Sequence, residues 1–204
     1  GKALDVGPGS GFLIDYFLKK NFEYHFIESI QKFSENLISK GGVSASDDIY
    51  FFEKKLKNKF DFIVLRHVIE HLEKPLDVLK NLRNYLKDDG LLYMALPNAS
   101  KINKISKGVR TSFLRDAHIS YFTEMNIMHL IKKAGLKIID KEVGSELYFL
   151  LCKGNMNLEW ENQYLSNKTY YDELLKKSRI VDFKKIIINE MKSPIKWIIK
   201  KIKP

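Results

Sequence analysis

Residues 5 to 11 read Asp-Val-Gly-Pro-Gly-Ser-Gly, and a further acidic residue, Glu28, follows at the end of an apolar run. Glycines at 7, 9 and 11 allow a tight turn and a close approach of backbone to a ligand, and a helix opening behind them presents free N–H groups. Such a turn suits a nucleotide-like ligand, or a purely structural bend. A dinucleotide fingerprint requires its third glycine where Phe12 stands, so the spacing argues against dehydrogenase chemistry. Glu28 taken alone is either a ligand-facing carboxylate or an ordinary strand end.

A second group of residues is suited to moving protons. Histidine is the usual base near neutral pH, and His67, His71 and His118 fall near the ends of apolar segments. His67 is expected at the carboxyl end of a strand, where ligands bind in open α/β sheets. Glu70 and His71 open the next helical stretch and could serve instead as a capping pair. His118 sits in a loop reading Asp116-Ala117-His118, and His25 and His129 lie inside a strand and a helix, where packing is the simpler role. Cys152 is the only cysteine, with no partner for a disulfide and no Cys or His nearby at ligand spacing, so no metal site is expected.

Alternating strands and helices must position these groups. Lys2 to Val6 is a short apolar strand, and Phe12, Leu13, Tyr16 and Phe17 recur at helical spacing over Phe12 to Lys19. Tyr24 to Ile27 predicts a second strand and Ile30 to Ser39 a second helix, stopped by Gly41 and Gly42; Ile49 to Phe52 is a candidate third strand. Phe60 to Leu65 has the compact pattern of a buried strand. Leu76, Leu79, Leu82 and Leu86 share one face of a helix over Pro75 to Leu86, which Asp89 and Gly90 should break. Leu91 to Leu96 is the next strand, Thr123 is the expected N-cap of a helix ending at Gly135, and Leu136 to Val143 and Glu146 to Cys152 form a hairpin. This order predicts a parallel sheet covered on both faces.

The combination of Asp5, the glycines at 7, 9 and 11, and Glu28 resembles the cofactor motif of class I S-adenosylmethionine-dependent methyltransferases. Residues 60–72, Phe-Asp-Phe-Ile-Val-Leu-Arg-His-Val-Ile-Glu-His-Leu, resemble that family's fourth-strand motif, and they are followed by a helix, Asp89-Gly90 and a strand ending Leu96-Pro97-Asn98. Tyr121-Phe122-Thr123 through Ala134-Gly135-Leu136 resembles its sixth helix and strand. The resemblance covers residues 1 to about 152 and is small-molecule or glycan methyltransferase in type. Only Val43 to Phe52 departs from a recognisable third-strand pattern.

The resemblance implies a doubly wound, Rossmann-like, seven-stranded α/β sheet with its last strand antiparallel, and S-adenosyl-L-methionine as cofactor with S-adenosyl-L-homocysteine as product. It implies a cofactor site of Asp5, Gly7, Pro8, Gly9, Gly11, Glu28, Ser29, Leu65, Arg66 and His67. In it Glu28 accepts hydrogen bonds from both ribose hydroxyls, while Asp5 supports the glycine loop and the amino-acid end of the cationic cofactor. The catalytic candidates are His67, His118 and His71. Enzymes that methylate exocyclic amines of bases carry an Asp or Asn, Pro, Pro, aromatic tetrapeptide after the fourth strand, and here that place reads Leu65-Arg66-His67. That argues against a base N-methyltransferase; the overall pattern resembles the small-molecule and glycan methyltransferases of bacteria, which implies a small-molecule or glycan acceptor, with a sugar hydroxyl as the methylated group and surface-polysaccharide synthesis as the setting. A tRNA-modifying enzyme and a non-catalytic cofactor-binding module are the alternatives.

The formal charge of +10 attracts anionic partners without choosing among nucleic acid, lipid headgroups and phosphorylated substrates. From Ile180 onward seven lysines stand against Asp182 and Glu190, interleaved with Ile180, Phe183, Ile187, Met191, Ile195, Ile198, Ile199 and Ile202 at helical spacing. That pattern fits an amphipathic helix on an anionic membrane surface, each lysine near it contributing about 1 kcal/mol, or equally a helix packed on its own domain or on a second copy in a homodimer. The expected organisation is a cofactor-binding domain over 1–152 and a basic helical extension over 153–204. The lone cysteine and the lack of a membrane-spanning run predict a cytoplasmic protein, peripheral at the inner membrane surface if the tail binds lipid. Because the first motif follows directly on Gly1, a native N-terminal segment is expected to be missing.

Overall fold

The computed structural model describes residues 1–51, 53–100 and 118–158. The proposed tail helix over 180–204, the extension from residue 159 onward and the 101–117 connection, including Asp116 and Ala117, lie outside the described residues.

Seven strands form one sheet in the order β3-β2-β1-β4-β5-β7-β6. They are β1 (Lys2–Val6), β2 (Glu23–Ile27), β3 (Val43–Ser46), β4 (Phe60–Arg66), β5 (Leu86–Pro97), β6 (Leu136–Val143) and β7 (Glu146–Lys153). The pairs from β3 through β5 are parallel, whereas β7 runs antiparallel to both β5 and β6. The chain order therefore reverses beside β1, where β2 lies on one side and β4 on the other. Loops leaving these two strands diverge at their carboxyl ends, and this crevice is where open α/β sheets bind ligands.

Side-chain alternation along β1 and β4 supplies both faces of the core. Leu4, Val6, Ile63 and Leu65 pack on one face with α3 (Pro75–Tyr85) and α4 (Glu124–Lys133), through Val78, Leu79, Leu82, Ile127 and Ile131. Ala3 and Val64 point to the other face, joining Ile14 and Phe17 of α1 (Ile14–Lys19), Leu37 of α2 (Gln31–Ser39), Tyr24 and Phe26. Central strands buried on both sides explain the near-continuous apolar runs in the sequence.

Local signals place the helices. Pro75 opens α3, and Thr123 caps α4 by accepting a hydrogen bond from the Asn126 N–H. Gly135, with φ of 72°, follows the end of α4, and its carbonyl accepts from Arg83 Nε at 2.9 Å, tying α4 to α3.

Three boundaries differ from the sequence reading. The first helix starts at Ile14, so Phe12 is 81% exposed and Ile14 and Phe17 make the buried contacts, because the glycine turn is still unwinding through residue 13. The third strand is Val43–Ser46, not Ile49 to Phe52; it is a polar edge strand lacking the apolar signature, and Ile49 to Phe51 lie beyond it outside any strand. Helix α3 ends at Tyr85, and Leu86 already pairs with Phe60, so Asp89 and Gly90 fall within the irregular start of β5 and do not end the helix. A Cβ at Gly90 would lie 2.8 Å from the Phe60 carbonyl, which is why the strand can bulge there only with glycine.

Candidate functional site

The turn after β1 is fixed by backbone bonds from the Gly7 N–H to the Ile27 carbonyl and from the Gly11 N–H to the Pro8 carbonyl. All three glycines have positive φ. A Cβ at Gly7 would come within 2.6 Å of Val68, and one at Gly11 within 2.5 Å of Leu37, so both are glycine because neighbouring elements press on them. Gly9 differs: nothing lies within 4 Å of where its Cβ would be. Its glycine is required by its φ of 55°, and it leaves open space over the loop.

Glu28 closes the loop from the neighbouring strand. Its carboxylate is 7% exposed; Oε2 accepts from the Gly9 N–H at 3.0 Å and Oε1 from the Ile30 N–H at 2.9 Å. Each oxygen keeps a second acceptor position. Ser29, immediately after it, and Arg66, at the end of β4, are exposed, and Pro8 is half-buried in the turn, while the Leu65 side chain is wholly buried in the core, so Leu65 can offer a ligand only backbone.

Asp5 is 4% exposed on the α1–α2 side of β1 and accepts a 2.8 Å hydrogen bond from the Tyr24 hydroxyl. Burial pushes its carboxyl up to about 6, against the lowering effect of the Tyr24 hydroxyl and of the Arg66 charge. An acid whose folded pKa lies above its unfolded value stabilises the fold below the unfolded value, and that contribution disappears as pH rises through about 6. Asp5→Asn is therefore expected to raise the stability of the ligand-free protein by on the order of 1–3 kcal/mol at about pH 8 and by nothing near pH 4, measured by urea unfolding at the two pH values. The same variant should bind a cationic ligand more weakly, so the ionised carboxylate is a cost to folding that binding would offset.

At the end of β4 the backbone of His67 takes a φ of 53°, uncommon for a residue with a Cβ, and its N–H donates to the Ala95 carbonyl. The ring lies between two carboxylates: Nδ1 is 3.5 Å from Glu70 Oε1 and Nε2 is 3.4 Å from Glu146 Oε2. The hydrogen bond with Glu70 raises the imidazole pKa above its usual value, with burial opposing and the Glu146 charge adding to the rise. Glu70 and His71 form a short 3₁₀ turn (Ile69–His71), so neither caps a long helix. His118 lies beside His71, the two rings 4.9 Å apart. His129 is buried in α4 with Nδ1 against the Met125 carbonyl, and His25 pairs with Glu23.

Three participants are silent in the sequence. Tyr24 is an ordinary strand residue until the fold sets its hydroxyl on Asp5. Val68 is needed to see why Gly7 has no side chain. Glu146 opens β7 beside Pro97, held by the Tyr148 hydroxyl, and reaches His67 only through the antiparallel pairing with β5. No local spacing reports that contact.

A sequence profile for a methyltransferase domain matches residues 1–141. The chain belongs to this methyltransferase family. A comparison with curated proteins finds no match. Solved structures share the fold at low identity. An S-adenosylmethionine-dependent methyltransferase from Clostridium acetobutylicum aligns with a TM-score of 0.60 at 16% identity, covering 76% of this chain and 84% of its own. A second, from Methanosarcina mazei, gives 0.63 at 16%, covering 76% and 93%. The 1,6-didemethyltoxoflavin-N1-methyltransferase of Burkholderia thailandensis, solved with that compound and S-adenosylhomocysteine bound, gives 0.59 at 15%, covering 76% and 71%.

This methyltransferase is a class I enzyme that uses S-adenosylmethionine and yields S-adenosylhomocysteine. The residues present suit that cofactor. A loop with open space at Gly9, a carboxylate with unused acceptor positions at Glu28, and a buried acid at Asp5 are the groups that could hold a ligand offering hydroxyls and positive charge but no phosphate. The cofactor supplies a methyl group already activated on a sulfonium; the chain supplies binding, alignment and exclusion of water.

Proposed function

We propose that this methyltransferase acts on a hydroxyl of a small-molecule or glycan acceptor, with His67 as the group that takes the hydroxyl proton. The observation that carries the reading is the imidazole at the carboxyl end of β4, held between Glu70 and Glu146 where an amine-binding tetrapeptide would otherwise stand. A hydroxyl is a weak nucleophile, and removing its proton as the new C–O bond forms is the help it needs. A base flanked by carboxylates is stabilised in its protonated form, which is the form it reaches in that step. The strained backbone of His67 supports a functional placement, since such conformations persist where surrounding structure overrides them. Asp5, the glycine loop, Glu28 and the end of β4 would hold the cofactor, with His71 and His118 on the acceptor side.

Formation of S-adenosylhomocysteine in the presence of S-adenosylmethionine and a panel of monosaccharides, sugar nucleotides, small amines and tRNA tests the reading. Turnover is expected with a hydroxyl-bearing small molecule or glycan. Turnover confined to amines or to tRNA would overturn it, and cofactor binding without turnover on any acceptor would favour the non-catalytic module.

A further inference from the structure

We infer that Glu70, His71 and His118 form a binding site for a divalent transition-metal cation beside His67. The inference rests on the proposed acceptor side of the site and deepens it, and it concerns a site that the spacing of the sequence hides.

The three residues come from two segments far apart in the chain. Glu70 and His71 belong to the 3₁₀ turn after β4, and His118 arrives with the irregular segment that leads into α4. Backbone bonds fix the meeting: the Ile119 and Ser120 N–H groups both donate to the Glu70 carbonyl, at 2.9 and 3.0 Å. One ligand atom from each of the three side chains lies within 4.8 Å of the others. Donor atoms around a tetrahedral ion with bonds of about 2.0–2.2 Å are roughly 3.5 Å apart, so side-chain rotations that contract the triad by about 1 Å close it. His71 is 39% exposed, which leaves it room to turn.

The buried carboxylate provides the independent observation. Glu70 is 3% exposed; its Oε1 faces His67 at 3.5 Å and His71 at 4.0 Å, while its Oε2 is buried with no hydrogen-bond partner among the described residues. An ionised carboxylate oxygen left without a partner away from water is costly, and natural structures rarely keep one without a purpose. A cation bound to Oε2 would remove that cost and leave Oε1 for His67.

Two imidazoles and one carboxylate favour zinc, manganese, iron or cobalt over magnesium, which prefers an all-oxygen shell. Three protein ligands leave at least one coordination position open. An acceptor hydroxyl taking that position would be lowered in pKa and held next to His67, so the cation would divide the work of activation with the imidazole.

The test uses the full chain, stripped of metal with a chelator, and the metal ion alone as probe. Titration with Co2+, followed by its visible absorption, and with Zn2+ in competition with a chromogenic chelator, is expected to show one ion bound per chain. His71→Ala, His118→Ala and Glu70→Gln should each weaken binding by more than about tenfold, whereas His25→Ala should leave it unchanged. His118→Ala, in a surface segment, keeps the test decisive if a Glu70 variant fails to fold, and S-adenosylhomocysteine binding by each variant reports that its cofactor domain is intact. Absence of stoichiometric binding by the parent chain, or affinity equal to the parent's in His118→Ala and His71→Ala, overturns the inference. Should the chain bind S-adenosylhomocysteine and turn over acceptor but bind no metal ion in the titration, the metal site fails while the methyltransferase reading stands.

Discussion

Replacing Glu28 with alanine is expected to weaken S-adenosylhomocysteine binding by about a hundredfold or more, measured by titration calorimetry. The carboxylate does two things at once. It fixes the glycine loop by accepting the Gly9 and Ile30 N–H groups, and each of its oxygens keeps an acceptor position for a ligand hydroxyl. Hydrogen bonds to a charged acceptor are worth roughly 1.5–3 kcal/mol each, so losing two from the ligand together with the loop's anchor amounts to a factor of 100 or more in affinity. Glu28→Gln is not a conservative control. Because each carboxylate oxygen already accepts a backbone N–H, the amide NH2 of glutamine must point one donor at another, and this variant should also bind poorly. An affinity within about threefold of the parent for Glu28→Ala would remove the carboxylate from the cofactor site.

How well the sequence reported this arrangement depended on whether a residue's job is local. The glycine turn, Glu28 at its strand end, the Thr123 cap, Pro75 at the start of α3 and the terminal hairpin all carry their reason within a few residues, and each lies where the pattern put it. Burial on both faces made β1, β4 and most of β5 legible as apolar runs. Strand β3 lacks such a run, since an edge strand has only one neighbour and little to bury, and the strand-like apolar pattern lies instead in the adjacent aromatic stretch. Phe12 matches the helical period by chance, two residues ahead of the helix that starts at Ile14, and the turn leaves it exposed. Long-range pairs were invisible for a different reason. Tyr24 with Asp5, Val68 with Gly7, Glu146 with His67 and His118 with His71 are each joined by the strand order or by a connection, and no local spacing encodes that.

Those long-range contacts bear most heavily on His67. If His67 accepts the acceptor's proton, His67→Ala should lower kcat by about 10²–10⁴-fold while changing S-adenosylhomocysteine affinity by less than about threefold. The left-handed backbone complicates a plain reading of alanine, since a Cβ at φ 53° is strained whether or not an imidazole is attached. His67→Asn retains a residue type that tolerates this conformation and removes the ring, and His67→Gly relieves the strain altogether. Both should fold and bind cofactor, and both should lose turnover to a similar extent. A structural role would give a different result: His67→Gly would regain activity as strain is released, and added imidazole would do nothing. For a base, imidazole supplied in solution should restore part of the turnover of His67→Gly and none of that lost in Glu28→Ala. Equal kcat in His67→Asn and the parent enzyme would reassign the imidazole to packing between Glu70 and Glu146, because a ring facing a carboxylate on each side can tie the end of β4 to β7 without any chemistry.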